Sequence, residues 1–413
     1  MADTVIMIGA GPAGVVAVET LREHDRQSRV VMLSAEPFPP YSPPAMVDHF
    51  ITGSNSHFWR PANWSEQFQV DYRPGVQVTS VRPALHQVCL ADGGILAYDH
   101  LVIAAGSRLY APLPGVDLPG VYNFKSLSAA QASVDKVKRG EARTALIVGA
   151  GFIGMEIALL LRELGVQVTQ VEMLDQVMPA MLDPFTASFA LQIMRQRGVE
   201  VRLNTKAKRF VGEKNIAIGV ELETGEVLRA DLLIAATGVR PNIDFLEGSG
   251  IACRWGISVD NYLRTSAPDV YAAGDVVETP DRLTGEVYVH AILPNAIEQG
   301  RVVGLNLGKR GLGCPTPYEG AERMNSLKHL GLRILAAGLK HGEEVLRARV
   351  NGGWRTLYVQ DDRLVGFQLV GGLQAAGALR TLLNRQEKLG RLKDHLLEAN
   401  FGQGALVWSA LSL

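Results

Sequence analysis

Val5-Ile6-Met7-Ile8-Gly9-Ala10-Gly11-Pro12-Ala13-Gly14 and Ala145-Leu146-Ile147-Val148-Gly149-Ala150-Gly151-Phe152-Ile153-Gly154 are two copies of one pattern, a short apolar run feeding G-x-G-x-x-G. The apolar runs predict buried strands, and the stretches behind them predict helices, Ala13–Glu23 in the first copy and a helix to about Leu164 in the second. In that context each glycine has its own task. The first permits a tight strand-to-helix turn, the second lets a pyrophosphate approach backbone without a Cβ in the way, and the third lets helix and strand pack closely. Unpaired amides at the positive end of the helix dipole then hold the phosphates. Each copy runs on into a second strand, Val30–Leu33 or Gln167–Val171, followed by an acid. Two such sites imply two dinucleotides on one chain, and the simplest chemistry that needs both is electron transfer between them.

The repeat extends further. Leu101-Val102-Ile103-Ala104-Ala105-Gly106 closes the first unit, and Leu232-Leu233-Ile234-Ala235-Ala236-Thr237-Gly238 closes the second in the same way, which marks an internal duplication. Between the two units, Pro112–Pro119 shifts to proline and glycine and predicts a crossing between domains. The loop Pro37-Phe38-Pro39-Pro40-Tyr41-Ser42-Pro43-Pro44 is expected to be stiff and extended, because proline fixes φ. Beyond Pro241, Asp269-Val270-Tyr271-Ala272-Ala273-Gly274-Asp275 predicts another short buried strand, and Pro294 is preset for the first turn of a helix. From about Cys314 onward, strands such as Arg355–Val359 and Leu364–Val370 lead into a helix at Ala375–Asn384, which reads as a small α+β domain.

With 413 residues, 47% of them hydrophobic and 20% charged, the chain has core material for two or three globular domains. A formal charge of −1 gives no argument for nucleic acid or a membrane surface as partner, and neither is expected. Cys89, Cys253 and Cys314 have no paired or metal-ligand spacing, so neither a disulfide framework nor a metal site is expected. They read as buried structural thiols of a protein made in a reducing cytoplasm. The first residues lack the basic segment of a signal peptide, and Val5–Val18 is too short and too interrupted to span a bilayer.

The ordered set Gly9–Gly14, Tyr41-Ser42-Pro43-Pro44, Leu101–Gly106, Gly149–Gly154 with Glu156, Ala236-Thr237-Gly238 and Tyr271–Asp275 resembles the two-dinucleotide flavoprotein reductases, the pyridine nucleotide-disulfide oxidoreductases. Within them it is most similar to the ferredoxin reductase and nitrite reductase flavin-domain branch. The resemblance implies an α/β fold of two Rossmann-like domains, with the NAD domain inserted in the FAD domain, plus the small C-terminal domain. The expected division is residues 1–115 and 242–315 for FAD, 116–241 for NAD and 316–413 for a C-terminal interface domain.

By this resemblance FAD would rest on Gly9, Gly11, Ala13, Gly14, Pro43, Pro44, Ala105, Gly106, Gly274 and Asp275, with Asp275 on the ribityl chain. Asp275 is also a residue type that caps helices. Asn295, Ala296 and Gln299, at the start of the Pro294 helix, would lie near the flavin edge where reduction builds negative charge. Glu36, 22 positions after Gly14, can accept hydrogen bonds from an adenosine ribose or stand as a solvated loop carboxylate. Tyr41 either packs near the flavin ring or fills core space, and His290 either tunes a flavin proton or is structural.

The nicotinamide dinucleotide would take Gly149, Gly151, Phe152, Ile153, Gly154, Glu172, Thr237 and Gly238, with Glu156 placing the nicotinamide. Glu172 follows Gly154 by 18 positions, and Met173-Leu174-Asp175-Gln176-Val177 after it holds no base for a 2′-phosphate, which favours NADH. The chain departs from many relatives at Pro43 and Pro44, where an arginine, a lysine or a redox cysteine is common. With no C-x-x-x-x-C, electrons are expected to leave directly from the flavin to an iron–sulfur protein on another chain, or to an iron–sulfur subunit of a larger complex. The rival expectations are an NADH oxidase using dioxygen and a flavoprotein subunit with an assembly role. The second would use Phe401–Leu413, with Trp408, for docking or self-association, so both a homodimer and a heteromer stay open.

Overall fold

Apolar side chains occupy every position from Val5 to Ile8, and the strand Thr4–Ile8 they form is covered on both faces. Val5 and Met7 join one core with the helix Pro12–His24, while Ile6 and Ile8 join another with Val81, Val88 and Leu90. This computed structural model of the chain describes residues 2–309, 313–327, 331 and 333–402. The chain divides into two compact units, the first comprising Met1–Tyr110, Lys125–Gln131 and Val239–Ala321.

Its main sheet is parallel, in the order Val270–Ala272, His100–Ile103, Thr4–Ile8, Arg29–Ser34, Val70–Pro74. The register brings Ile8 opposite both Leu33 and Ile103, so the strands end together where the glycine turn begins. One face carries the antiparallel sheet Val78–Arg82, Gln87–Leu90, Ile95–Ala97. The other carries Pro12–His24 packed against Leu293–Gly308. Those two helices approach closely because Gly300, Gly304 and Gly308 recur every fourth residue. A Cβ at Gly300 would stand 2.3 Å from the Ala13 carbonyl oxygen, and one at Gly304 2.5 Å from that of Ala17.

The second unit comprises Ala111–Phe124, Ala132–Gly238 and Glu322–Leu413. Its parallel sheet runs Val199–Arg202, Gln167–Val171, Thr144–Val148, Leu232–Ala235, Val121–Tyr122. The same unit holds a five-stranded antiparallel sheet, Met324–Leu327, Ile334–Gly338, Arg363–Val370, Gly353–Gln360, Glu344–Val350, backed by the helix Ala376–Arg385. Asp183 links the two sheets' surroundings. It caps the helix Pro184–Gln196 through the Thr186 amide at 2.7 Å and pairs with Arg347, while its own amide donates to Gln368 at 3.2 Å. The expected α/β class, with two Rossmann-like sheets, is therefore what the chain adopts.

Two local expectations are corrected. The proline-rich loop is not extended throughout: Pro43–Ala45 makes a 3₁₀ turn that leads into the helix Met46–Thr52. The φ that proline enforces suits a first helical turn as well as an extended chain. The cysteines are not buried thiols either. Cys253 and Cys314 are exposed, and Cys89 is half-buried on a strand whose inward positions are Val88 and Leu90. The expected docking stretch Phe401–Leu413 lies, from residue 403 on, outside the described residues, and Trp408 with it. No helix among the described residues is long and apolar enough to cross a membrane.

Candidate functional site

The two glycine clusters repeat one geometry. Gly9 and Gly149 have φ of 110° and 104°, and their missing Cβ atoms would stand 2.1 Å from the Ala104 oxygen and 2.5 Å from the Ala236 oxygen. Gly14 and Gly154 would likewise press on the oxygens of Gly9 and Gly149, at 2.2 and 2.3 Å. These four are glycines for reasons internal to the protein. Gly11 and Gly151 are different. Their φ of −77° and −73° suits any residue, and nothing lies within 4 Å of a Cβ placed on either. Each is also an N-cap without a capping side chain, where Ser or Asp would stabilise the helix. Nothing within the chain therefore requires glycine at either position. Each leaves open backbone at a helix N-terminus, a place that favours anions, and neither first turn carries an acid to repel one.

Around the first cluster the fold gathers residues far apart in sequence. Gly274, at φ 83°, would put a Cβ 3.1 Å from that of Ala13 and 3.9 Å from that of Ala296. Its amide donates to buried Gln299 at 2.7 Å, and Asn295 is buried on the same helix. Asp275 accepts from the Ser107 hydroxyl at 2.6 Å and from the Lys125 ammonium at 2.9 Å on one oxygen. Ala105 and Gly106 are half-buried, and Asn242 ties down both: its side chain donates to the Ala105 carbonyl at 2.9 Å and its amide to that of Gly106 at 3.0 Å. Pro43 is half-buried and Pro44 exposed.

Glu36 is a partly buried, hydrogen-bonded carboxylate instead of a solvated one. It accepts from the Ser128 amide at 3.0 Å, with the Tyr41 hydroxyl at 3.4 Å. Tyr41 in turn accepts from the Leu127 amide at 3.1 Å, so its hydroxyl is spent on Glu36 and the start of the helix Leu127–Lys138. Burial, with Glu36 beside it, pushes the Tyr41 phenol pKa well up. His290 is buried with its ring stacked on Tyr288 at 3.6 Å.

At the second cluster Glu172 is buried, one oxygen accepting from the Ala150 amide at 2.8 Å and the other from Leu174 at 3.1 Å. The acid is thus locked to the turn between Gly149 and Gly151. Ile153 in the glycine cluster and Met173 and Leu174 after Glu172 are exposed apolar side chains, and Phe152 and Glu156 are half-buried on the helix Phe152–Glu163. Thr237 and Gly238, the latter at φ 144°, are exposed after the closing strand.

Sequence reasoning missed Ser107, Lys125 and Gln170. Gln170 donates to the Gly149 carbonyl at 2.9 Å from a fully buried position. A glutamine between Thr169 and Val171 on the strand Gln167–Val171, at a position set to face the core, was a signal that could have been read. Lys125 carried none, since its partner is 150 positions away.

Residues 3–300 match the sequence profile of the pyridine nucleotide-disulphide oxidoreductases. The chain is 31% identical to the ferredoxin–NAD(+) reductase component of the biphenyl dioxygenase system of Paraburkholderia xenovorans, over 72% of this chain and 73% of that one. It is 29% identical to an NADH oxidase of Methanocaldococcus jannaschii, over 90% and 88% of the two chains. Among solved structures, the ferredoxin reductase for the CYP199A2 system of Rhodopseudomonas palustris superimposes with a TM-score of 0.80 at 26% identity, covering 89% of this chain and 91% of that one.

Proposed function

The chain belongs to the pyridine nucleotide-disulphide oxidoreductase family, and from that premise we propose that it oxidises NADH and passes the electrons to a separate iron–sulfur protein. The observation that supports this most directly is the pair of glycines, Gly11 and Gly151, that nothing in the chain requires to be glycine. The two cradles take FAD and NAD(H). Bound FAD supplies the conversion of a two-electron input into one-electron outputs.

Gly9, Gly11, Ala13 and Gly14 hold the FAD pyrophosphate in this reading, and Glu36 keeps one oxygen for the adenosine ribose. Ser107 and Lys125 both bind one oxygen of Asp275, which leaves the other for a ribityl hydroxyl. Pro43, Pro44, Ala105, Gly106 and Gly274 shape the ring end. Asn295, Ala296 and Gln299 present a helix N-terminus to charge that builds on reduction, a contribution of about 0.3–2 kcal/mol. Gly149, Gly151, Phe152, Ile153 and Gly154 hold the nicotinamide dinucleotide. Glu172 accepts its ribose hydroxyls, and Glu156, Thr237 and Gly238 position the reactive end. The domain division at 115, 241 and 315 and a cytoplasmic location belong to the same proposal.

Anaerobic mixing of the flavin-loaded protein with NADH is expected to bleach the flavin within about a second. An unresponsive flavin overturns the reading. A second reading, NADH oxidase, is favoured by the similarity to the Methanocaldococcus jannaschii protein. It requires NADH-driven oxygen consumption at a rate matching turnover, with no carrier added.

A further inference from the structure

In the first unit the strand Ser107–Leu109 pairs antiparallel with Val239–Pro241, and the register sets Arg108 directly opposite Arg240. Like charges at directly opposed positions cost stability. One carboxylate, Asp244, accepts from both guanidiniums, so the pair is only half neutralised by it. Two positions on from Arg108, Tyr110 meets Trp255 edge to face, with ring centroids 5.2 Å apart. Both rings are exposed, Tyr110 at 36% and Trp255 at 48%. Arg254 beside Trp255 keeps 72% of its side chain in solvent. The buried carboxylate facing it, Glu278, pairs with Arg254 Nε at 3.3 Å through one oxygen and accepts from the Trp255 and Gly256 amides at 3.0 and 3.2 Å through the other.

The result is an aromatic pair in water ringed by arginines that outnumber their carboxylates. Tyr, Trp and Arg are the residue types enriched at protein interfaces and among their energetic anchors. The patch also begins at the proposed flavin site, since Ser107, the first residue of its strand, is one of the two residues that hold Asp275.

We propose that Arg108, Tyr110, Arg240, Arg254 and Trp255 form the docking surface for an acidic one-electron carrier protein, an inference that rests on the electron-transfer reading above. Oxidation of one NADH yields NAD⁺, a proton and two electrons, and the two electrons reduce two carrier molecules. The arginines steer the encounter and the aromatic pair provides the desolvated centre.

The test uses full-length, flavin-loaded protein and a purified acidic [2Fe–2S] ferredoxin as probe. Trp255→Ala and Arg254→Gln together are expected to weaken ferredoxin binding, measured by calorimetry, at least about tenfold and to raise its KM similarly. NADH–ferricyanide turnover should stay unchanged, and Arg254→Lys should restore most of the binding lost by Arg254→Gln. Raising salt from about 50 to about 300 mM should weaken wild-type binding more than that of the variant. Ferredoxin affinity unaltered in the variant, with the wild type competent, overturns the docking surface alone. A wild-type dimer that becomes monomeric in the variant, with unchanged affinity per protomer, assigns the patch to self-association and also overturns it. A wild type that turns over ferricyanide but reduces neither this ferredoxin nor a rubredoxin overturns the electron-transfer reading itself.

Discussion

Gly11 and Gly151 differ from the other fingerprint glycines in that a methyl group on either would meet no protein atom within 4 Å. Substitution there tests the ligand and spares the fold. Gly11→Ala is expected to purify with FAD content reduced at least about fivefold while keeping a melting temperature, compared apo to apo, within a few degrees of wild type. Gly151→Ala should retain FAD and lose about tenfold or more in NADH affinity. Flavin absorbance per protein and an NADH titration separate the two. The nucleotide preference belongs to this scale too. Glu172→Ala with Met173→Arg removes a carboxylate and adds a base beside a ribose 2′ position, so the NADPH-to-NADH ratio of kcat/KM should rise by about 100-fold or more. An unchanged ratio would remove Glu172 from the ribose site.

Between elements, the helix Pro12–His24 and the helix Leu293–Gly308 show how little local pattern can say about a contact. Both helices were readable from apolar spacing and from Pro12 and Pro294 near their starts. Their mutual approach depends on Gly300, Gly304 and Gly308 lying over Ala13, Ala17 and the Leu21–His24 turn, a match between segments from opposite ends of the first unit. Gly304→Leu would force atoms into the Ala17 carbonyl and Thr20, and is expected to cost about 3 kcal/mol or more, seen as a lower denaturation midpoint and loss of flavin. The helix Leu127–Lys138 escaped sequence reading for a related reason. Its first two amides are satisfied by Tyr41 and Glu36, 86 and 92 positions earlier, and the local signal is slight, a Ser126 hydroxyl that accepts from the Ala129 amide at 3.3 Å with no acid to complete a capping box.

At the scale of the molecule, the second unit joins its parallel sheet to the C-terminal antiparallel one through a charged and aromatic cluster. Arg347 pairs with Asp183, donates to Thr356 at 2.9 Å and lies 4.1 Å over the Phe185 ring, while Phe185 meets Trp354 edge to face. Arg347→Met removes the charge and leaves Asp183 with its helix cap. A loss of about 2 kcal/mol is expected, read by chemical denaturation, with flavin content unaltered. A parallel loss of FAD would mean that the cluster supports the first unit as well.

The central strands of the two parallel sheets, their glycine turns and the acids Glu36 and Glu172 were legible in the sequence because each rests on a local rule: apolar runs bury, glycine turns, and a strand end presents the next side chain. The proline loop was half legible, since proline fixes φ without choosing between a 3₁₀ turn and an extended chain. The exposure of the cysteines was not legible, because burial of a small thiol depends on which strand face it lands on. Only the tertiary structure could bring Lys125 and Ser107 onto Asp275, set Arg108 against Arg240, and turn Tyr110 edge to face with Trp255. Those are contacts between distant segments, decided by sheet register and helix packing, and a linear pattern carries no distance between them.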